Sequence, residues 1–305
     1  MERRLAPAEI LERAGEAYRR LAPCEVCPRL CRIDRRREAT GACRMGRSPV
    51  VSSANLHRGE EPPISGSRGS GTIFFAGCSL ACRFCQNWPI SHLDHGEALS
   101  PAALGRAMLK LQQRGAHNIN LVTGTHFTPQ FLAAAGHARR NGLTVPFVWN
   151  SSGYDRIELL GLLDGVVELY LPDLKYGDDA SAEACSGVSD YWATATAAVG
   201  EMSRQVGRLR LDDDGVAVRG LIIRHLVLPN GLSGTRRVLE WIADHLPSGT
   251  AVSLMGQYFP AGDAVGDPRL GRKLTDREYA EACALLDEFP EIEGWTQDMS
   301  RPGGC

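Results

Sequence analysis

Three cysteines between residues 78 and 85 carry the strongest chemical signal in this sequence. Cys78-Ser-Leu-Ala-Cys82-Arg-Phe-Cys85 has the spacing C-x3-C-x2-C. Thiolates are soft ligands suited to iron–sulfur clusters, which ordinarily take four cysteines. The next cysteine, Cys185, lies a hundred residues further on. Three ligands leave one iron with an open position, and an open position implies substrate chemistry rather than passive electron transfer. The alternatives are an ordinary ferredoxin loop or a zinc knuckle with His92 or His95 as fourth ligand, although zinc sites favour paired C-x2-C units.

A second group, Cys24-x2-Cys27-x3-Cys31-x11-Cys43, supplies four thiolates within 20 residues. Four is a complete set for Zn²⁺ or for an auxiliary iron–sulfur cluster. The surrounding segment is rich in arginine and poor in apolar residues, so a metal staple would suit it. Its spacing leaves zinc and iron–sulfur both open. Together the two groups hold seven of the ten cysteines, a clustering that in a reducing compartment points to metal ligands rather than disulfides. Cys185, Cys283 and Cys305 stand alone and read as incidental thiols.

Elements must hold these loops in place. The chain has 305 residues, 43% apolar and 23% charged, with a net charge of −2. That composition is ordinary for a globular protein. The charge balance gives no reason to expect nucleic acid or an anionic membrane as a partner, and the short run Arg35-Arg-Arg37 reads as a solvated face. No stretch of about 18 apolar residues suggests a membrane span. The first 21 residues lack a signal peptide's apolar core, so a cytoplasmic protein is expected.

An amphipathic helix over 8–21 leads into the cysteine-rich segment, and Arg58–Gly71 reads as a loop because Pro62, Pro63, Gly66, Gly69 and Gly71 argue against helix. From residue 72 onward, apolar runs predict strands at Thr72–Ala76, Asn118–Thr123, Val145–Asn150, Val167–Pro172, Leu221–Leu228 and Thr250–Met255. Helical patterns fall between them at Pro101–Gln113, Pro129–Asn141, Asp190–Val206 and Arg236–His245, with a further helix near Asp276–Glu288. Alternation of this kind predicts parallel βα units. A small hairpin is expected around Asp212-Asp-Asp-Gly215. About six units make an α/β fold of the partial (β/α)6 TIM-barrel type, with functional residues at the C-terminal mouth. The expected division is a helix and four-cysteine metal-binding segment over 1–70 and the barrel over 71–305, ending in an irregular tail, Arg301-Pro-Gly-Gly-Cys305. The strands indeed run into Gly77-Cys78, Thr123-Gly-Thr-His126, Asn150-Ser-Ser-Gly153 and Asp173-Leu-Lys175.

A C-x3-C-x-aromatic-C loop after a first strand resembles the signature of the radical S-adenosylmethionine (SAM) superfamily. Within it the chain resembles relatives of the pyruvate formate-lyase activating enzyme that carry an N-terminal cysteine segment. The resemblance runs from Cys24-Glu-Val-Cys27-Pro-Arg-Leu-Cys31 to Gly256-Gln-Tyr-Phe-Pro260, through Glu61-Pro-Pro-Ile-Ser-Gly66, Cys85-Gln-Asn87, Tyr170-Leu-Pro-Asp-Leu-Lys175 and Arg224-His-Leu-Val-Leu-Pro229. It implies that Cys78, Cys82 and Cys85 hold a [4Fe-4S] cluster whose open iron is chelated by SAM. Reductive cleavage of SAM would then yield a 5′-deoxyadenosyl radical.

The resemblance also implies that Phe84 meets the adenine, that Asp173, Lys175 and His225 contact SAM, and that Gly124, Asn150 and Ser151 line its site. The family's Gly-Gly-Glu after the second strand is replaced here by Thr123-Gly124-Thr125-His126, which has no carboxylate; His126 reads as a substrate contact or proton donor. A low-potential donor of the flavodoxin or ferredoxin type is implied, and a glycyl radical enzyme is one implied target. Modification of a small molecule, a peptide or a nucleic-acid base, or a non-catalytic metal-binding or electron-transfer role, are the competing functions.

Overall fold

Strand pairing in the computed structural model, which describes residues 4–37 and 39–297, joins the expected apolar runs into one parallel sheet. The cysteine-bearing tail Arg301–Cys305 lies outside the described residues. In chain order the elements are α1 (Pro7–Arg19), β1 (Val50–His57), α2 (Pro62–Ser65), β2 (Ser70–Phe75), α3 (Trp88–Ser91), β3 (Glu97–Ala98) and α4 (Pro101–Gln113). There follow β4 (Ile119–Val122), α5 (Thr128–Arg140), β5 (Phe147–Ser151), α6 (Ile157–Leu163), β6 (Leu169–Pro172), α7 (Asp179–Ser186) and α8 (Tyr191–Val206). The chain continues through β7 (Arg210–Leu211), β8 (Ala217–Leu226), α9 (Thr235–His245), β9 (Thr250–Met255), α10 (Asp276–Asp287) and β10 (Ile292–Thr296).

The sheet order is β10-β9-β8-β6-β5-β4-β2-β1-β3, with β2 to β10 all parallel along that path. It curls but does not close. β10 is a seventh parallel strand beyond the six expected; as an edge strand it is exposed at Glu293, Gly294 and Thr296 and so lacks the apolar run of a buried one. β1 pairs antiparallel with β2, across the expected boundary at residue 70. The expected hairpin exists as β7 against β8, but its second strand runs on without a break to become the fifth barrel strand.

Local signals start the helices where the side chains predict. Ser100 caps α4 by accepting from the Ala103 N–H, and Pro101 sits in the first turn. Thr275 and Glu278 form a capping box on α10. Pro62 and Pro63 also tolerate a single turn, because the first turn of a helix needs no N–H partner; α2 therefore forms where a loop is expected. Among the described residues no helix is long and apolar enough to cross a membrane.

Strand alternation sorts the core into two layers. The outer face, including Ile73, Leu121, Phe147, Trp149, Tyr170, Leu221 and Leu254, packs under the helices. The inner face carries a smaller apolar cluster of Val148, Leu169, Leu171, Ala217, Ile222 and Ala251, plugged by Ile64 from α2. On that inner face Thr72, Asn120, Val148, Leu169 and Gly220 stand in one register row. Asp173, Arg224 and Ser253 stand in register nearer the C-terminal mouth.

Candidate active site

β2 delivers the chain into Ala76-Gly77-Cys78, and the loop that follows is held by backbone geometry rather than by helix. Ala81, between the first two cysteines, takes the left-handed conformation (φ 53°) that non-glycine residues rarely adopt. The Leu80 N–H donates to Cys78 Sγ at 3.3 Å. Burial pushes the Cys78 thiol up to about 12, with Cys82 and Cys85 adding to the shift. Burial likewise raises Cys82, opposed by the nearby Lys175 cation. Cys78 lies within electrostatic reach of both other thiols, and Cys78 and Cys82 keep their protons until positive charge arrives to replace them, which is how a metal competes for buried thiols. Cys185, remote in sequence, backs the loop: its carbonyl accepts the Arg83 N–H at 2.9 Å.

A charged shelf lies at the mouth beside this loop. Lys175 Nζ bonds Asp173 Oδ2, and Arg224 Nε donates to Asp173 Oδ1 at 2.8 Å. The second arm of Arg224 donates to Asn150 Oδ1 at 2.6 Å, and its third nitrogen lies 3.6 Å from Glu60 Oε2. Burial disfavours the Asp173 carboxylate, but Arg224 and Lys175 outweigh it and hold the group below its ordinary range. Burial disfavours the Lys175 cation in the same way, and Asp173 reverses the sign. Tyr191 Oη accepts the Lys175 N–H at 2.8 Å and donates to the Ser152 carbonyl at 2.9 Å, fixing the loops after β5 and β6 against each other.

The other expected contacts fall in different surroundings. Phe84 is buried, edge-on to Tyr176 and Tyr258. Gly124 packs flat on Trp149, where a Cβ would meet the indole at 2.9 Å. Ser151 turns outward and donates to Asp155 Oδ2 at 2.6 Å, while Thr125 donates to Asp155 Oδ1 at 2.8 Å. His225 also faces the helix layer: Nδ1 pairs with the Leu174 carbonyl at 2.6 Å and Nε2 with Thr235 Oγ1 at 3.0 Å. Both nitrogens are thereby used, and burial lowers the ring to about 4. One residue along a strand reverses the face, and it is Arg224 that enters the barrel. His126 is buried against the Ala76 carbonyl at 2.9 Å; burial, then Arg35, lowers it to about 3. Burial thus favours the neutral ring, whose Nε2–H donates to the Ala76 carbonyl.

Arg224, Asp155 and Glu60 are the site residues that sequence reasoning passed over. The parity of Arg224 with Asp173 across neighbouring strands was the available signal for the first. Glu60 and Glu61 precede two prolines in a stretch that reads as loop, and nothing local predicts their burial.

The family model for the radical SAM superfamily matches residues 72–204, from β2 through α8. An uncharacterised protein of Methanocaldococcus jannaschii is 32% identical over 274 residues, covering 87% of this chain and 75% of that protein. The chain belongs to the radical SAM superfamily. The crystal structure of HydG, a maturase of the [FeFe]-hydrogenase, superposes with a TM-score of 0.49 at 13% identity, covering 96% of this chain. The chain spans 63% of that structure's length.

As a radical SAM enzyme the chain implies a [4Fe-4S] cluster and SAM, and its donor set fits both. Three thiols stand on one loop turned by left-handed Ala81. A cluster would have to draw them together, because no three ligand side chains among the described residues close on one point. A half-buried lysine and arginine at the mouth suit a carboxylate. Gly77 (φ 72°) brings the first of these cysteines against the N-terminal segment: a Cβ there would sit 2.5 Å from the Cys43 carbonyl. Gly77→Ala should therefore lower Tm by at least about 5 °C and reduce iron incorporation at the loop, as read by thermal melting and iron analysis.

The four N-terminal cysteines are also gathered. Cys27 is pushed up to about 12, first by burial, with Cys43, Cys24 and Cys31 all contributing. Left-handed Leu30, Arg32 and Arg44 flank the thiols. Among the described residues no three ligand side chains close on a single point, so a metal would have to draw these thiols in. The segment is tied to the barrel by arginines. Arg29 donates to the Ser79 carbonyl at 2.8 Å and to the Gly187 carbonyl at 2.7 Å. Arg35 is buried, contrary to the expected solvated run, and donates to the His126 and Gly46 carbonyls at 2.7 Å each.

Glu60 supplies a pH test. Burial raises it from its ordinary 4.5 to about 7, against the opposing pull of Arg224; Glu61 and Asp173 add to the rise and Asn120 opposes it. A raised carboxyl favours the folded state while protonated, so this contribution is complete below pH 4.5 and disappears as pH climbs to about 7. Glu60→Gln should match the parent in acid and exceed it near pH 8 by roughly 2–3 kcal/mol, measured by urea melts at the two pH values.

Proposed function

We propose that this radical SAM enzyme cleaves SAM reductively at the Cys78–Cys85 loop and directs the resulting radical at a substrate bound in the barrel. A single observation carries this reading: three closely spaced thiols, Cys82 buried and Cys78 and Cys85 half-buried, on a loop turned by left-handed Ala81 adjoin the Asp173–Lys175–Arg224 shelf at the mouth of a parallel sheet. A [4Fe-4S] cluster held by these cysteines would, once reduced by a low-potential donor, supply the one electron that cleaves the sulfonium of bound SAM to methionine and a 5′-deoxyadenosyl radical.

The chain's own groups bind and orient. Cys78, Cys82 and Cys85 hold the cluster. Lys175, steadied by Asp173 and Tyr191, offers its cation to the SAM carboxylate. Asn150 is aimed by Arg224, the Phe84 backbone meets the adenine, and Gly124 keeps the floor flat against Trp149. The buried mouth excludes water from the reacting centre. Cys24, Cys27, Cys31 and Cys43 hold a second metal, zinc or iron–sulfur, in a segment spanning 1–70 ahead of the barrel.

Anaerobic reconstitution with dithionite and SAM tests the main reading: 5′-deoxyadenosine forms, and a well-loaded protein that makes none overturns it. Activation of a glycyl radical enzyme is the narrower form, favoured by the shared Tyr170–Lys175 and Glu61–Gly66 stretches. It predicts a glycine-centred electron spin resonance signal on a partner chain. A flavodoxin or ferredoxin is the proposed donor, and modification of a small molecule or peptide is the alternative form.

A further inference from the structure

Between Cys27 and Cys31, in the first cysteine segment, stands the half-buried side chain of Arg29. All three of its nitrogens donate to backbone carbonyls far away in the chain. Nε donates to the Ser79 carbonyl at 2.8 Å, and Nη2 more loosely to that of Leu80 at 3.4 Å. At the C-terminal end of α7, Nη1 donates to the Gly187 carbonyl at 2.7 Å and Nη2 to that of Ser186 at 3.2 Å. Ser79 and Leu80 are buried, so their carbonyls need a donor from within the protein.

The other side of the same two peptides faces a cysteine. A peptide group is planar and trans, so its C=O and N–H point in opposite directions. The Ser79 carbonyl shares a plane with the Leu80 N–H, and the Leu80 carbonyl shares one with the Ala81 N–H. The Leu80 N–H donates to Cys78 Sγ at 3.3 Å, and the Ala81 N–H bonds the same sulfur. Arg29 and Cys78 therefore stand on opposite sides of one pair of peptides. The guanidinium fixes the tilt of both planes and polarises them, which strengthens each N–H toward the sulfur.

We propose that Arg29 is a positioning residue for the cluster at Cys78, Cys82 and Cys85: it aims the Leu80 and Ala81 N–H groups at the Cys78 sulfur and makes that cluster easier to reduce. The inference rests on the proposed assignment of the cluster to these three cysteines. Hydrogen bonds to a ligating sulfur withdraw negative charge from it, and cluster potentials follow such bonds and net charge. The first cysteine segment thereby acts on the radical chemistry whichever metal its own thiols take. A residue between two of those thiols sets how readily the donor's electron enters the loop cluster.

The test uses the full-length protein, reconstituted anaerobically, beside Arg29→Met, Arg29→Gln and Arg29→Lys. The midpoint potential of the loop cluster is read by electron spin resonance during a reductive titration without SAM. Its signal is the one missing from Cys82→Ala. Arg29→Met and Arg29→Gln should make reduction at least about tenfold less favourable, a fall of about 59 mV for one electron. Arg29→Lys keeps the charge without the planar fork and should recover part of that fall. Arg35→Gln is the control, because Arg35 ties the same segment to the His126 and Gly46 carbonyls and not to the loop; its cluster should keep the parent potential.

Should Arg29→Met fail to fold or to load iron, Arg29→Gln against the parent and Arg35→Gln decides. Equal potentials in the parent and Arg29→Gln would overturn the inference and leave Arg29 a tether, felt only in melting temperature and iron content. A fall as large in Arg35→Gln would assign the effect to a loosened segment and overturn it too. A Cys82-dependent cluster whose potential ignores Arg29 refutes this inference and leaves the cluster assignment standing. Loaded protein with no Cys82-dependent signal refutes both.

Discussion

Cys82→Ala should abolish the proposed 5′-deoxyadenosine formation, by at least about a thousandfold, while any metal loaded at Cys24, Cys27, Cys31 and Cys43 stays bound. Cys82 is the most enclosed of the three loop thiols and the one that feels Lys175 most directly. Removing it leaves two thiolates for a cluster already one short of the usual four. Stability should fall little, because the loop's fixed geometry rests on backbone bonds such as Arg83 N–H to the Cys185 carbonyl. Metal analysis of the variant beside Cys27→Ala checks the independence of the two sites. Loss of both metals together would mean that Arg29, which bonds the loop at Ser79, couples them.

Arg224→Met is the second large effect. The guanidinium is shared by Asp173, Asn150 and Glu60, and breaking a buried ion pair from one side costs about 3–5 kcal/mol. For a chain of this size that is a Tm loss of roughly 6–15 °C. The pH dependence carries a definite sign. Asp173 is held below its ordinary 3.8 in the parent, so its contribution is present above that value and lost as pH falls through the lower folded one. The deficit of the variant should therefore be widest at neutral pH and shrink in acid, measured by melts between those limits. SAM binding should weaken as well, because Asn150 and Lys175 lose the group that aims them.

The two predictions differ in how well their residues could be seen beforehand. Cys82 announces itself, since three thiols at such short spacing suit a metal and little else. Arg224 stands in a run, Arg224-His-Leu-Val-Leu-Pro229, whose histidine attracts attention as the more chemical residue. His225 nevertheless points at Thr235 because strand alternation sends it outward, and the parity that sends Arg224 inward depends on which face of the sheet curls over. That choice belongs to the sheet as a whole. Ser151 is the same case, drawn outward to Asp155. Glu60, Glu61 and Arg35 belong to segments with no periodicity at all, so their burial could be read only after the segments had packed.

By itself the sequence determined the local and the additive: apolar runs long enough for strands, capped helices between them, thiol sets spaced for a metal, and an open-ended α/β order. These follow from neighbours within a few residues, where sterics, capping and ligand spacing act. The tertiary structure alone decided which side chains share the mouth, because a buried charge settles where its partners converge from distant strands. It joined Asp173 to Arg224 across 51 residues, set Cys43 against Gly77, and buried Glu60 and Glu61 within reach of Arg224. Electrostatics and burial are properties of that convergence, and no stretch of chain holds them alone.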